Sequence, residues 1–127
     1  MDVGKNAANS AGNFARRLCL LDEMHDGEAI AIDAVIALDG AAAAPESVIL
    51  LRQGNEVRAW LNICPHAGRR LDWAPGKFLL KNDLLICAVH GASFATASGE
   101  CIAGPCRGEH LRSVAVRVED GAVLLTD

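Results

Sequence analysis

Two cysteine–histidine pairs stand out among the residues able to do chemistry: Cys64-Pro65-His66 and Cys87-Ala88-Val89-His90. One residue separates the members of the first pair, two separate those of the second, and twenty lie between the pairs. Thiolate and imidazole are the ligands that soft and borderline metals prefer. Two short pairs, each at a bend of the chain, can close a four-ligand site. By ligand type alone that site suits zinc as well as iron.

The neighbours of the pairs narrow the choice. Ala67-Gly68 follows the first pair and Gly91-Ala92-Ser93-Phe94 the second, so the stretch reads C-P-H-x-G and then C-x-x-H-G-x-x-F. In this the chain resembles the Rieske iron–sulfur family over roughly Ala15 to Thr126. The resemblance implies a 2Fe-2S cluster, with Cys64 and Cys87 as thiolates on the inner iron and His66 and His90 on the outer one. It also implies a third, proline-containing loop over the cluster, matched in place by Gly104-Pro105. Gly68 and Gly91 would supply backbone conformations that the ligand loops require, and Pro65 stiffens the first loop. The competing readings are a structural zinc knuckle on the same four residues and core cysteines that fall beside histidines by chance.

The matched positions also point to a branch of that family. Respiratory members carry an extra cysteine in each ligand loop, joined as a disulfide; the corresponding residues here are Arg69 and Val89. Those members place a serine directly after His-Gly, plus a nearby tyrosine, as hydroxyl donors to the cluster sulfurs. Here the position is Ala92, and the chain has no tyrosine. Fewer donors leave a reduced cluster less stabilised. The resemblance is therefore to the soluble ferredoxin-like branch.

Two features depart from a plain ferredoxin. The interval between the pairs is enlarged at Leu71-Asp72-Trp73-Ala74-Pro75-Gly76-Lys77, where Trp73 either shields the cluster, meets a partner, or packs on its own loop. Cys101 and Cys106 flank Gly104-Pro105 and admit a clamping disulfide, a further metal site or two reduced thiols; cytoplasmic thiols are mostly reduced. Cys19 reads as a buried thiol, and His25 and His110, in polar contexts, as surface histidines.

The elements that must position these residues read as β-structure. Of 127 residues, 51% are apolar but only 4% aromatic, so the core is built from Val, Ile, Leu and Ala, which suits short strands. The length fits one domain. A net charge of −4 argues against nucleic acid and anionic membrane surfaces. No apolar run approaches the roughly twenty residues of a transmembrane helix. Arg16-Arg17 is a twin arginine, but the apolar run after it is only Leu18 to Leu21 before Asp22 and Glu23, so an export signal is rejected and the cytoplasm is the expected location.

Residues 1–14 read as a flexible amino-terminal arm and 15–127 as a single domain. Arg16 to Met24 reads as a first strand and Glu28 to Leu38 as one long bent strand. Asp39 to Ser47 reads as a loop with at most one helical turn, since Pro45 prevents more. Val48–Leu51 and Val57–Leu61 form a hairpin over Gln53 to Glu56 that delivers Cys64 and His66. Phe78–Leu80 and Leu84–Cys87 form a second hairpin over Lys81-Asn82-Asp83. Ser113 to Val118 alternates, with Val114, Val116 and Val118 on one face, and Val123 to Thr126 is the last strand. The class is all-β, with nine or ten strands in stacked antiparallel sheets. The resemblance adds a small cluster-binding subdomain, at about residues 62–105, inserted in a β base.

The leading functional expectation is an electron carrier and not an enzyme by itself. The chain leaves no room for the mononuclear-iron domain of a Rieske oxygenase and has no 2-His-1-carboxylate set beyond the four residues named. It also lacks a GxGxxG for flavin or nicotinamide. Partners would supply both: a flavin reductase to load the cluster, and an oxygenase or other redox enzyme to unload it, with the protein acting as a monomer. The runner-up is a small subunit bound permanently to a larger oxidoreductase, as in nitrite reductase-like systems. A redox or iron–sulfur sensor and a zinc-bound interaction module complete the set.

Overall fold

A computed structural model describes residues 17–38, 40–65, 68–88 and 91–126. Along the chain the strands are β1 (Arg17–Leu20), β2 (Ala29–Ile36), β3 (Ala44–Gln53), β4 (Glu56–Leu61), β5 (Leu79–Lys81), β6 (Leu84–Ile86), β7 (Ser93–Ala95), β8 (Cys101–Ala103), β9 (Val116–Glu119) and β10 (Ala122–Leu125). They pair antiparallel into three sheets, in the orders β1-β10-β9, β2-β3-β4 and β5-β6-β7-β8. Among the described residues the only helical segment is a single 3-10 turn, Leu21–Glu23, as the all-β expectation requires.

The run Val48-Ile49-Leu50-Leu51 in β3 explains the layering. Side chains alternate across a strand, so a continuous apolar run must be covered on both faces. Val48 and Leu50 point into one core with Ala59, Leu61, Met24 and Val123. Ile49 and Leu51 point into another with Trp60, Leu85, Phe94, Cys64 and Cys87. All four of the run are at most 3% exposed. The β2-β3-β4 sheet is thus the middle layer, with the β1-β10-β9 sheet on one side and the four-stranded sheet and ligand loops on the other. Register keeps the faces consistent: Ala29 pairs with Leu51 over the second core and Ile30 with Leu50 over the first.

Both expected hairpins form. β3 and β4 close with Gln53 opposite Glu56. β5 and β6 close with Lys81 opposite Leu84. Asn82 and Asp83 there have φ of 52° and 62°, the left-handed pair that a two-residue hairpin turn demands. β5 begins at Leu79; Phe78 sits just outside it, half-buried against the core.

Three expectations about elements need correction. The first strand stops at Leu20, because Glu23 turns back to accept the Leu20 N–H at 2.6 Å and the chain enters the 3-10 turn. The expected loop over 39–47 is strand from Ala44 onward, since β2 is long enough to pair with Ala44 through Ser47. Pro45 is tolerated because β4 pairs with β3 only from Val48, leaving the proline segment with one strand neighbour. The valine-rich segment joins β9 only at Val116. Its earlier residues bond to β4 instead, with Val114 donating to the Ala59 carbonyl and Leu61 to that of Arg112, both at 2.9 Å. Val114, Val116 and Val118 still share one packed face. The arm expected over 1–14 lies outside the described residues.

Candidate metal centre

Cys64 and Cys87 arrive from different hairpins and meet in the same core, at 0% and 1% exposure. Cys64 follows β4 by three residues; Cys87 follows β6 directly. Each opens a loop of the same design. The Cys64 N–H donates to the Arg69 carbonyl at 2.6 Å and the Cys64 carbonyl accepts from Gly68 at 2.8 Å. The Cys87 N–H donates to the Ala92 carbonyl at 2.8 Å and its carbonyl accepts from Gly91 at 2.9 Å. Gly68 and Gly91, each four residues past the cysteine, have φ of +69° and +72°. A left-handed residue at that point turns the chain back on itself, at little cost for glycine. His66 and His90 belong to these loops but lie outside the described residues.

What closes the two loops differs. The second is the tip of the β6–β7 hairpin, with Ile86 opposite Ser93. Among the described residues no strand ladder lies beneath the first, and Asn62 takes that role. Its side-chain oxygen accepts the Leu71 N–H at 2.8 Å, its amide donates to the Ser47 hydroxyl at 3.2 Å, and its own N–H bonds the Ser47 carbonyl at 2.9 Å. Asn62 is 1% exposed, so each of these bonds satisfies a group that would otherwise be buried without a partner. The loops also touch directly, Ala88 N–H to the Leu71 carbonyl at 3.4 Å. Nothing in the spacing of Asn62 announced this role, since its partners lie 15 and 9 residues away.

The enlarged loop is held from inside. The Asp72 carboxylate, with its side chain 2% exposed, takes two bonds from the Arg70 guanidinium at 3.0 and 2.8 Å and one from the Gly76 N–H at 3.0 Å. Burial by itself would raise the Asp72 carboxyl; the bonds from Arg70, Gly76 and Asn62, with the Arg70 charge, outweigh it and hold the group below its ordinary value. Trp73 N–H bonds the Lys77 carbonyl at 2.9 Å. Trp73 is 60% exposed.

The third loop lies on the second ligand loop. Gly104 has φ +98°, and a Cβ there would sit 2.8 Å from the Ala92 Cα, so only glycine permits this approach. Cys101 and Cys106, at 0% and 1% exposure, flank it. Both are free thiols, and Cys106 donates to the Cys101 sulfur across 2.7 Å. Burial, then that bond and the nearby Cys101, Cys64 and Glu109 charges, push the Cys106 thiol up to about 12. Cys19 is half-buried rather than buried, and burial with the Glu23 charge raises its thiol too. His25 and His110 are exposed, as expected.

The Rieske [2Fe-2S] domain family matches residues 17–118 of this chain. The chain belongs to that family. A curated relative, the ferredoxin component of biphenyl 2,3-dioxygenase from Rhodococcus jostii (strain RHA1), is 32% identical over 81 residues, 64% of this chain and 71% of the relative. Among solved structures, the ferredoxin of carbazole 1,9a-dioxygenase from Nocardioides aromaticivorans IC177 superposes with a TM-score of 0.63 at 25% identity, covering 87% of this chain and 94% of that one. The terminal oxygenase of carbazole 1,9a-dioxygenase from Novosphingobium sp. KA1 gives a TM-score of 0.68 at 21% identity, over 87% of this chain but 29% of the oxygenase. The cofactor of this Rieske chain is therefore a 2Fe-2S cluster, and its role is electron transfer.

The described residues fit such a cluster. Two thiols from loops of the same hydrogen-bonding design share one apolar core, and a third loop lies on the loop of the second. Among the described residues no three metal-binding side chains group together. No described helix is long and apolar enough to cross a membrane.

Proposed function

We propose that this protein is a Rieske ferredoxin that shuttles single electrons from a flavin reductase to an oxygenase or similar redox enzyme, without catalysing a reaction of its own. In this reading Cys64 and Cys87 hold one iron as thiolates, and His66 and His90 hold the other as imidazoles. The bound cluster would accept and release one electron at a time. The protein's own part is to keep the two thiolates buried, hold both ligand loops in one geometry, and limit the hydrogen bonds reaching the sulfurs. The cluster-binding subdomain is read as about residues 62–105; the four-stranded sheet β5-β6-β7-β8, which runs from Leu79 to Ala103 between β4 and β9, supports that reading. The protein is read as a cytoplasmic monomer.

The observation that carries this reading is the share of each relative that is matched. The likeness extends over 94% of a ferredoxin chain but only 29% of a terminal oxygenase. The ferredoxin component of a dioxygenase is also the relative at 32% identity. Stopped-flow mixing tests the proposal: the purified protein should be reduced by NADH through a flavin reductase and reoxidised by a ring-hydroxylating oxygenase within many turnovers. Co-elution with one large oxidoreductase in gel filtration of a native extract, with no exchange of the small protein, would favour the bound-subunit reading instead.

A further inference from the structure

The loop over the second ligand loop carries two cysteines that electron transfer does not use. Cys101 and Cys106 are both fully buried, and their sulfurs are 2.7 Å apart. That separation is well inside contact and within ~0.7 Å of a bonded pair, given an S–S bond of ~2.05 Å. The backbone already holds the two residues face to face. Cys101 donates to the Glu109 carbonyl at 2.7 Å and accepts from Gly108 at 3.0 Å, while Glu109 donates to the Cys106 carbonyl at 2.8 Å. Arg107 bonds back to Gly104 at 3.2 Å, so the six-residue ring exists except for its covalent link. Inside that ring, Gly104 rests on the Ala92 backbone.

We propose that Cys101 and Cys106 form a reversible redox-modification site, oxidised by hydrogen peroxide to a disulfide that closes the covering loop into a ring and so fixes it where Gly104 rests on the second ligand loop. One sulfur attacks a peroxide oxygen as its proton passes to the departing oxygen; the O–O bond breaks, leaving a sulfenic acid and water. The second sulfur displaces hydroxide from the sulfenic sulfur and forms the S–S bond. The sum is two thiols plus one hydrogen peroxide giving one disulfide and two waters, with sulfur oxidised and peroxide oxygen reduced. Burial of both sulfurs selects a small oxidant over a protein or a bulky disulfide. A thiol reductant reverses the bond by exchange. The fastening effect rests on the cluster reading above; the disulfide itself does not.

The experiment uses the holoprotein. A brief pulse of one equivalent of hydrogen peroxide is ended with catalase, then the protein is unfolded in N-ethylmaleimide and its peptides mapped by mass. The expected result is a Cys101–Cys106 bridge in most molecules, absent after dithiothreitol. Alkylation of both cysteines after the pulse, or a Cys64–Cys87 bridge in their place, overturns the proposal. A second measurement follows iron release to a chelator by visible absorbance. Bridged wild-type protein should release iron at least twofold more slowly than Cys101→Ser/Cys106→Ser treated identically; equal rates overturn the fastening role while leaving the mapped bridge as its own result. If the double variant does not fold, the dithiothreitol-restored wild type serves as the unbridged reference.

Discussion

Gly104 lies so close to Ala92 that a single added Cβ would come within 2.8 Å of the Ala92 Cα. Ala92 in turn closes the Cys87 loop through its carbonyl. The covering loop and a ligand loop therefore share a backbone contact with no side chain to yield.

Gly104→Ala should destabilise the holoprotein by about 2–4 kcal/mol, combining left-handed strain with backbone overpacking. Gly68→Ala, also at positive φ but with open space around its Cβ, should cost about 1 kcal/mol. Denaturant midpoints of the two variants check the ordering, and equal losses would mean that the covering loop yields freely.

Cys64→Ser and Cys87→Ser should each abolish cluster binding, because a serine alkoxide is a poor substitute for thiolate. Wild-type protein purified without oxygen should contain two iron and two acid-labile sulfide per chain. Chemical analysis of iron, sulfide and zinc checks both, and zinc without sulfide would defeat the assignment. Cys101→Ser/Cys106→Ser should retain full cluster content under reducing conditions.

Ala92→Ser should make the reduction potential more positive. Wild-type Ala92 offers no hydroxyl, and the adjacent Ser93 hydroxyl is committed to the Gly91 carbonyl at 3.2 Å. The wild-type potential is therefore expected toward the low end of the Rieske range, on the order of −150 mV. Protein-film voltammetry measures both. A wild-type value near ~+300 mV, the upper end of that range, would overturn the branch assignment.

Asp72→Asn should reshape the acid limb of the stability profile. The folded Asp72 carboxyl lies below its ordinary value. A lowered folded pKa contributes stability that is fully present above the unfolded value, near ~4, and is lost as pH falls through the folded one. The difference in stability between wild type and Asp72→Asn should therefore be constant from pH 7 to about 5 and shrink below about 4. Urea midpoints at stepped pH give that difference; one that grows on acidification would contradict the sign. Asp72→Ala, which strips the part-buried Gly76 N–H of its acceptor and removes the Arg70 pair, should cost about 1–3 kcal/mol at neutral pH.

The four-residue pattern Cys64, His66, Cys87, His90 was legible because ligand chemistry and spacing are local properties of the chain. So were the two hairpins, whose turn residues Gly54-Asn55 and Asn82-Asp83 sit between apolar runs, and the all-β class. The end of β1 at Leu20 and the start of β3 at Ala44 were not legible. Strand limits depend on whether a partner is opposite: β2 extends the strand past Pro45, and a Glu23 side chain ends one that apolar character would have continued. The same holds for the valine segment, which divides between β4 and β10 although its alternation is unbroken.

At the centre itself, residue types determined what can bind, and tertiary structure decided how it is held. Asn62 braces the first loop through Ser47 and Leu71, and Asp72 is pinned by Arg70 and the Gly76 N–H. The Cys101 and Cys106 sulfurs end 2.7 Å apart under the loop they flank. Each is a contact that a side chain makes with a backbone group or another side chain brought to it by the fold. A sequence lists the donors and acceptors; which ones meet depends on burial, where a polar group left without a partner costs more than its bond returns.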